Sequence, residues 1–125
     1  MEYEQGTVPF EKTYITDIPS YYCKVKSYGY LVKKYDYNFY VEETAPGRWN
    51  VTEETSGLSL GITFKSKEKA FEFVYLKLEI NQQFKHITQI GIEKYSNPEK
   101  CIGTFESDEE FKDYMKNKQN RIFKS

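Results

Sequence analysis

The 125-residue sequence predicts an α+β fold: an antiparallel sheet with two amphipathic helices. Three observations predict it. Apolar and polar residues alternate with strand period through much of residues 21–64. Two segments, opening at Ser66 and Ser107, carry apolar residues at helical spacing behind a capping serine. The phrase "TFKSKE" at 63–68 returns as "TFESDE" at 104–109, an offset of 41.

Taken in order, residues 1–20 read as an N-terminal arm, punctuated by Pro9 and Pro19 and without lasting periodicity. In "YYCKVKS", Tyr21, Cys23 and Val25 alternate with Tyr22, Lys24 and Lys26. "LVKKYDYNFYVEE" sets Tyr35, Tyr37, Phe39 and Val41 against Asp36, Asn38, Tyr40 and Glu42. "APG" at 45–47 and "TSG" at 55–57 are turn chemistry. Between them Trp49 and Val51 point inward, and Arg48, Asn50 and Thr52 outward. In "LSLGITF", Leu58, Leu60, Ile62 and Phe64 alternate with Ser59, Gly61 and Thr63, which completes an antiparallel meander.

Ser66 then caps a helix with Ala70, Phe71, Val74, Tyr75 and Leu78 as its stripe, ending near 81–86. From Gln89 the pattern reads as strand, with Ile90 and Ile92 on one face, then a turn at "SNPEK" and a short strand "CIGTF". Ser107 caps a second helix, and Glu110 completes a capping box. The repeat therefore marks one physical event twice: a strand ends on a buried Phe, a serine caps, and a helix folds back. The organisation expected is a single domain, 1–125, with an arm (1–20), a β-rich unit with the first helix (21–86) and a second ββα-like unit (87–125).

The bulk numbers exclude several classes. Net charge is −1 and the pI about 5.9, so there is neither the basic excess of a strong nucleic-acid binder nor the acidity of a DNA mimic. Cys23 and Cys101 lack metal or disulfide-framework spacing and read as reduced thiols. "MEYEQGTVPF" is not a signal peptide and no apolar run spans a bilayer, so a cytoplasmic location without membrane contact is expected. There is no phosphate loop, and the single His86 has no partner at ligand spacing. Glu42-Glu43 and Glu53-Glu54 face opposite sides of strands, and the one Glu-x-Lys, Glu110-Phe111-Lys112, lies in a helix, which removes a restriction-type nuclease core. No enzyme, metal or cofactor is expected.

Surface recognition is the better lead. Twelve tyrosines, seven of them between Tyr21 and Tyr40, supply large bodies with polar tips. The outward sheet face would collect Tyr22, Lys24, Lys26, Asn38, Tyr40, Arg48, Asn50 and Lys65, a mixture suited to protein interfaces and able to stack bases.

"W-x-V … L-x-L-G-x-T-F-x-S-x-E-x-A-F", from Trp49 to Phe71, resembles the three-strand-plus-helix DNA-binding module of plant ethylene-response factors, which has relatives in phage integrases and homing endonucleases. "CIGTFESDEEFKDY" at 101–114 resembles the same module; the matches span about 49–75 and 90–116. The resemblance implies DNA contact through the outer sheet face, where only Arg48 and Lys65 of the matching Arg48, Asn50, Thr52, Ser59, Thr63 and Lys65 are basic. In size and lysine-, asparagine- and tyrosine-rich character the chain also resembles small phage and mobile-element inhibitors, anti-CRISPR proteins among them. The expectation is a non-enzymatic binding protein that docks on a large host protein or protein–nucleic-acid complex, most simply a defence nuclease. The alternative is a DNA-binding module using the outer sheet face.

Overall fold

The computed structural model describes residues 6–16 and 18–123, with side chains to 117. Six strands and three α-helices give the α+β fold. The strands are β1 (Val8–Ile15), β2 (Tyr22–Lys34), β3 (Tyr37–Ala45), β4 (Arg48–Glu53), β5 (Ser59–Phe64) and β6 (Cys101–Phe105). The helices are α1 (Lys67–Glu72), α2 (Gln82–Lys94) and α3 (Asp108–Phe123). Strands β1 to β5 follow one another as an antiparallel meander, and β6 adds parallel to β2. β2 is 13 residues long and has two sets of partners: its first half pairs β1 and β6, its second half pairs β3.

Register decides the faces. Tyr30 pairs Val41 and Val32 pairs Phe39, so even positions of β2 share a face with odd positions of β3. On that face Val32, Phe39, Val41 and Val51 meet Ala70, Phe71 and Val74, the main apolar core. Full burial of each large side chain there stabilises by about 1.5–3 kcal/mol. Ser66 caps α1 by accepting from the Lys69 N–H at 3.2 Å. Past α1 the chain widens into a π-helical turn, Phe73–Lys77, and Leu78 leaves it in an extended conformation.

On the opposite face the sheet curls, so that β1 lies against β3 and the β4–β5 turn. The Phe10 ring stacks on Tyr40 at 4.5 Å, and the Thr13 N–H donates to the Gly57 carbonyl at 2.7 Å. The expected N-terminal arm is thus largely a strand; residues 1–5 and Asp17 lie outside the described residues. Pro9 suggested a loop, but β1 is paired only through β2, and an edge strand tolerates proline.

Two further expectations are corrected. "LVKKYDYNFYVEE" is not one strand: Tyr35, at φ +53°, and Asp36 form a turn between β2 and β3. Residues 89–94 are helix, not strand, because Asn81 starts a new helix by accepting from the Phe84 N–H at 2.9 Å. The buried stripe of α2 uses Thr88 and Gly91, and Ile90 faces solvent, so the Ile90–Ile92 spacing carried no strand information. The repeated phrase keeps its local meaning, since Ser107 caps α3 as Ser66 caps α1, by accepting from the Glu110 N–H at 3.1 Å. The phenylalanines before the caps are half-buried: Phe64 packs on Phe73, and Phe105 on Phe111 and Tyr114. The second ββα unit does not form, because its first strand is the end of α2. No helix among the described residues is long and apolar enough to cross a membrane.

The closure of β1 can be tested by two glycines of equal backbone conformation. Gly47 (φ +71°) stands in open space, whereas a Cβ on Gly57 (φ +72°) would overlap the Thr13 hydroxyl and lie 3.2 Å from the Thr13 nitrogen. Gly47→Ala should cost about 1–2 kcal/mol, the left-handed backbone alone. Gly57→Ala should cost more, since Thr13 must also move. Equal losses in urea unfolding would mean that β1 is not held against this turn.

Candidate functional site

The register splits the surface expected from the sequence. Tyr22, Lys24 and Lys26 lie on the face of β2 that continues into the helix-covered core, and Asn38, Tyr40 and Asn50 lie on the other. Most of these side chains are also engaged. Tyr22 is buried and donates its hydroxyl to the Asn97 carbonyl at 3.0 Å. Lys24 donates to the Thr13 hydroxyl at 2.6 Å, and burial pulls its pKa below the usual lysine value. Lys26 pairs with Glu106 at 3.2 Å. Tyr40 is buried beneath Phe10, and its hydroxyl, like the Asn38 amide, donates to Glu54. Asn50 accepts from Thr44 at 2.8 Å. Arg48 and Lys65 are exposed at the ends of β4 and β5. The eight residues form no single open face.

What converges instead is a set of charged groups under β1. Lys12, buried in β1, bridges Glu42 of β3 at 3.1 Å and Asp108 at the start of α3 at 2.6 Å. Tyr14 donates its hydroxyl to Asp108 at 2.7 Å, and the Ser27 hydroxyl donates to Glu42. Burial alone would lower the Lys12 pKa, but the hydrogen bond it donates to Asp108 and the charge of Glu42 outweigh it and hold it above the ordinary lysine value. Burial likewise pushes the Asp108 carboxyl up, and the bonds from Lys12 and Tyr14 overcome that and hold it low. The Tyr14 hydroxyl is raised by burial and then by Asp108. Each of the three is displaced away from neutrality, the reverse of what proton transfer at neutral pH requires.

The cluster forms one wall of a polar cleft of about 260 Å³ between β1 and strands β3 to β5. A second, apolar groove of about 280 Å³ lies on the helix side, between β5 and α2. Leu60, Ile62, Phe73, Leu78, Phe84 and Ile87 line it. The groove exists because β5 bulges: Asn50 pairs Thr63 and Thr52 pairs Ser59, which leaves Leu60, Gly61 and Ile62 opposite Val51, with Gly61 at φ +80°.

Sequence reasoning missed Lys12 and Tyr14, which fell in the supposed arm, and Asp108, which lies in the first turn of α3. The available signal was the row Val8, Phe10, Lys12, Tyr14, a strand-period row with one lysine inside it. His86 is exposed on α2 and lines neither cavity, and Cys23 and Cys101 form no disulfide among the described residues. No group of three or more His, Cys, Asp or Glu side chains among the described residues is placed to hold a metal ion. No protein-family model matches the chain, and no curated protein or solved structure is significantly similar to it.

Lys12→Met should destabilise the chain by about 3–5 kcal/mol, because Glu42 would stay buried without its cation. Lys12→Met/Glu42→Leu should recover most of that loss. A single variant as stable as the double would mean the ammonium does not offset the burial of Glu42. The acid limb follows from Asp108. Its lowered folded-state pKa contributes stability that is complete above the unfolded value of about 3.9 and is lost as pH falls through the folded value. Asp108→Asn should flatten unfolding free energy against pH in that acid range.

Proposed function

We propose that the chain is a non-enzymatic binding protein that docks on a larger protein through the apolar groove between β5 and α2. The exposed apolar side chains there carry the reading. Ile62 is 40% and Ile87 55% exposed, and both line the groove beside Leu60, Phe73, Leu78 and Phe84. Isolated exposed apolar residues are ordinary, but several around one concave apolar surface mark a contact site. The occupant that fits is an apolar side chain or short apolar segment presented by a folded partner. The unpaired side of β5 suits strand addition less well, since the bulge and the positive φ of Gly61 interrupt its ladder.

Two observations support binding rather than catalysis and protein rather than DNA. The clustered titratable groups are held away from neutral pKa values. Lysines 24 and 26 are engaged with Thr13 and Glu106, and the remaining expected cations are divided between strand ends. The partner class suggested by the character of the sequence, a host-defence nuclease met by a phage or mobile-element inhibitor, is the first to test.

The test compares the tagged chain with Ile62→Glu/Ile87→Glu in pull-downs from host lysate, with mass spectrometry and a check for nucleic acid. The expected result is a nuclease captured and inhibited by the chain, and lost from the variant while its circular dichroism is unchanged. Equal capture by both proteins would place the contact elsewhere. Capture of naked nucleic acid, weakening steeply with salt, would favour direct nucleic-acid binding.

A further inference from the structure

The polar cleft under β1 lies on the other side of the sheet from the apolar groove and has its own chemistry. We infer that it binds a neutral, polyhydroxylated ligand of about one sugar ring. The inference rests on which hydrogen-bonding groups the fold leaves unused there.

Thr52 is the central observation. It is 3% exposed and lines the cleft, yet its hydroxyl makes no hydrogen bond among the described residues. No side-chain polar atom fully shut off from solvent lacks a partner among the described residues, so this hydroxyl is open to the cleft and takes its partner from that side. Its neighbours repeat the pattern. Asn50 uses its carbonyl oxygen to accept from Thr44, which leaves its amide N–H groups free to donate into the cleft. Ser59 accepts from the Gly61 N–H at 3.1 Å and keeps its own O–H to donate. Glu42 accepts from Lys12 through both oxygens and from Ser27 through Oε2, which leaves lone-pair capacity on Oε1.

The unused set is therefore two donor groups, one acceptor carboxylate and one hydroxyl that can do either. A ligand must offer donors and acceptors on adjacent atoms, as neighbouring hydroxyls of a sugar do. Charge selects in the same direction. The Lys12 ammonium is spent on Glu42 and Asp108, and Lys112 adds a second positive charge beside Asp108. Among the side chains lining the cleft, the one ammonium and the one carboxylate are paired with each other, so neither is left over for a charged ligand. At about 260 Å³ the cleft is below the ~300–1,000 Å³ of drug-sized sites, which fits a single ring.

Backbone amide NMR spectra of the full chain, titrated with D-glucose, D-galactose, D-mannose and their methyl glycosides, test the inference. Saturable shifts at Asn50, Thr52 and Ser59, with Leu76 and Ile87 unmoved, are expected from at least one probe. Saturation by a free sugar assigns a monosaccharide; saturation by methyl glycosides alone assigns the terminal sugar of a glycoconjugate. Thr52→Val, which removes only the unpaired hydroxyl, should weaken binding roughly 2- to 10-fold. Ser59→Ala, at an exposed position, should do the same and serves if the valine variant fails to fold. The inference is overturned by the absence of a saturable shift with every probe, or by shifts that neither variant weakens.

Discussion

One buried ammonium holds three parts of this molecule together. Lys12 sits in β1, and its carboxylate partners belong to β3 and α3, nearly a hundred residues apart at the extreme. Without those two acids an ammonium beneath a sheet would cost several kcal/mol. With them it specifies where β1 lies and where α3 begins. Around that point the packing becomes aromatic: Phe10 on Tyr40 on one side, Tyr14 on Phe111 at 4.7 Å on the other. The rings supply apolar burial, and the ion cluster decides which burial is allowed.

Local chemistry was the part of the fold legible in the sequence. β4 and β5 followed from alternation between turn residues, and α1 and α3 from their capping serines. Three features were illegible because they depend on distant partners. The strand-period row of β1, Val8, Phe10 and Tyr14, is interrupted by Lys12, whose charge is neutralised from elsewhere. α2 starts at Asn81, a cap hidden inside what reads as one continuous helix, and its buried stripe includes a threonine and a glycine rather than large apolar residues. The parity of β2 against β3 depends on the two-residue turn at Tyr35–Asp36, so missing that turn exchanged the faces of half the expected surface. Of the candidate sites, neither cavity was visible as such: one needs the bulge in β5 and the other the curl of β1.

The two cavities divide the labour of the sheet. The helix side buries the valine and phenylalanine core and opens an apolar groove where β5 bulges. The curled side buries charge and hydroxyls, and among the described residues every side-chain polar atom fully shut off from solvent has a partner. A sheet with one oily and one polar interior can offer two contact surfaces of different chemistry without either compromising the core.

The length of β2 has a consequence for how this arrangement is reached. Its second half finds β3 across a two-residue turn, so that ladder closes almost no loop. Its first half waits for β6, whose Cys101 pairs Tyr22 across about eighty residues of chain. Loop-closure entropy grows with that separation, and parallel pairing adds no turn to ease it. One strand thus spans the fastest and the slowest steps of assembly, and the folding chain carries a half-finished edge along β2 until its last strand arrives.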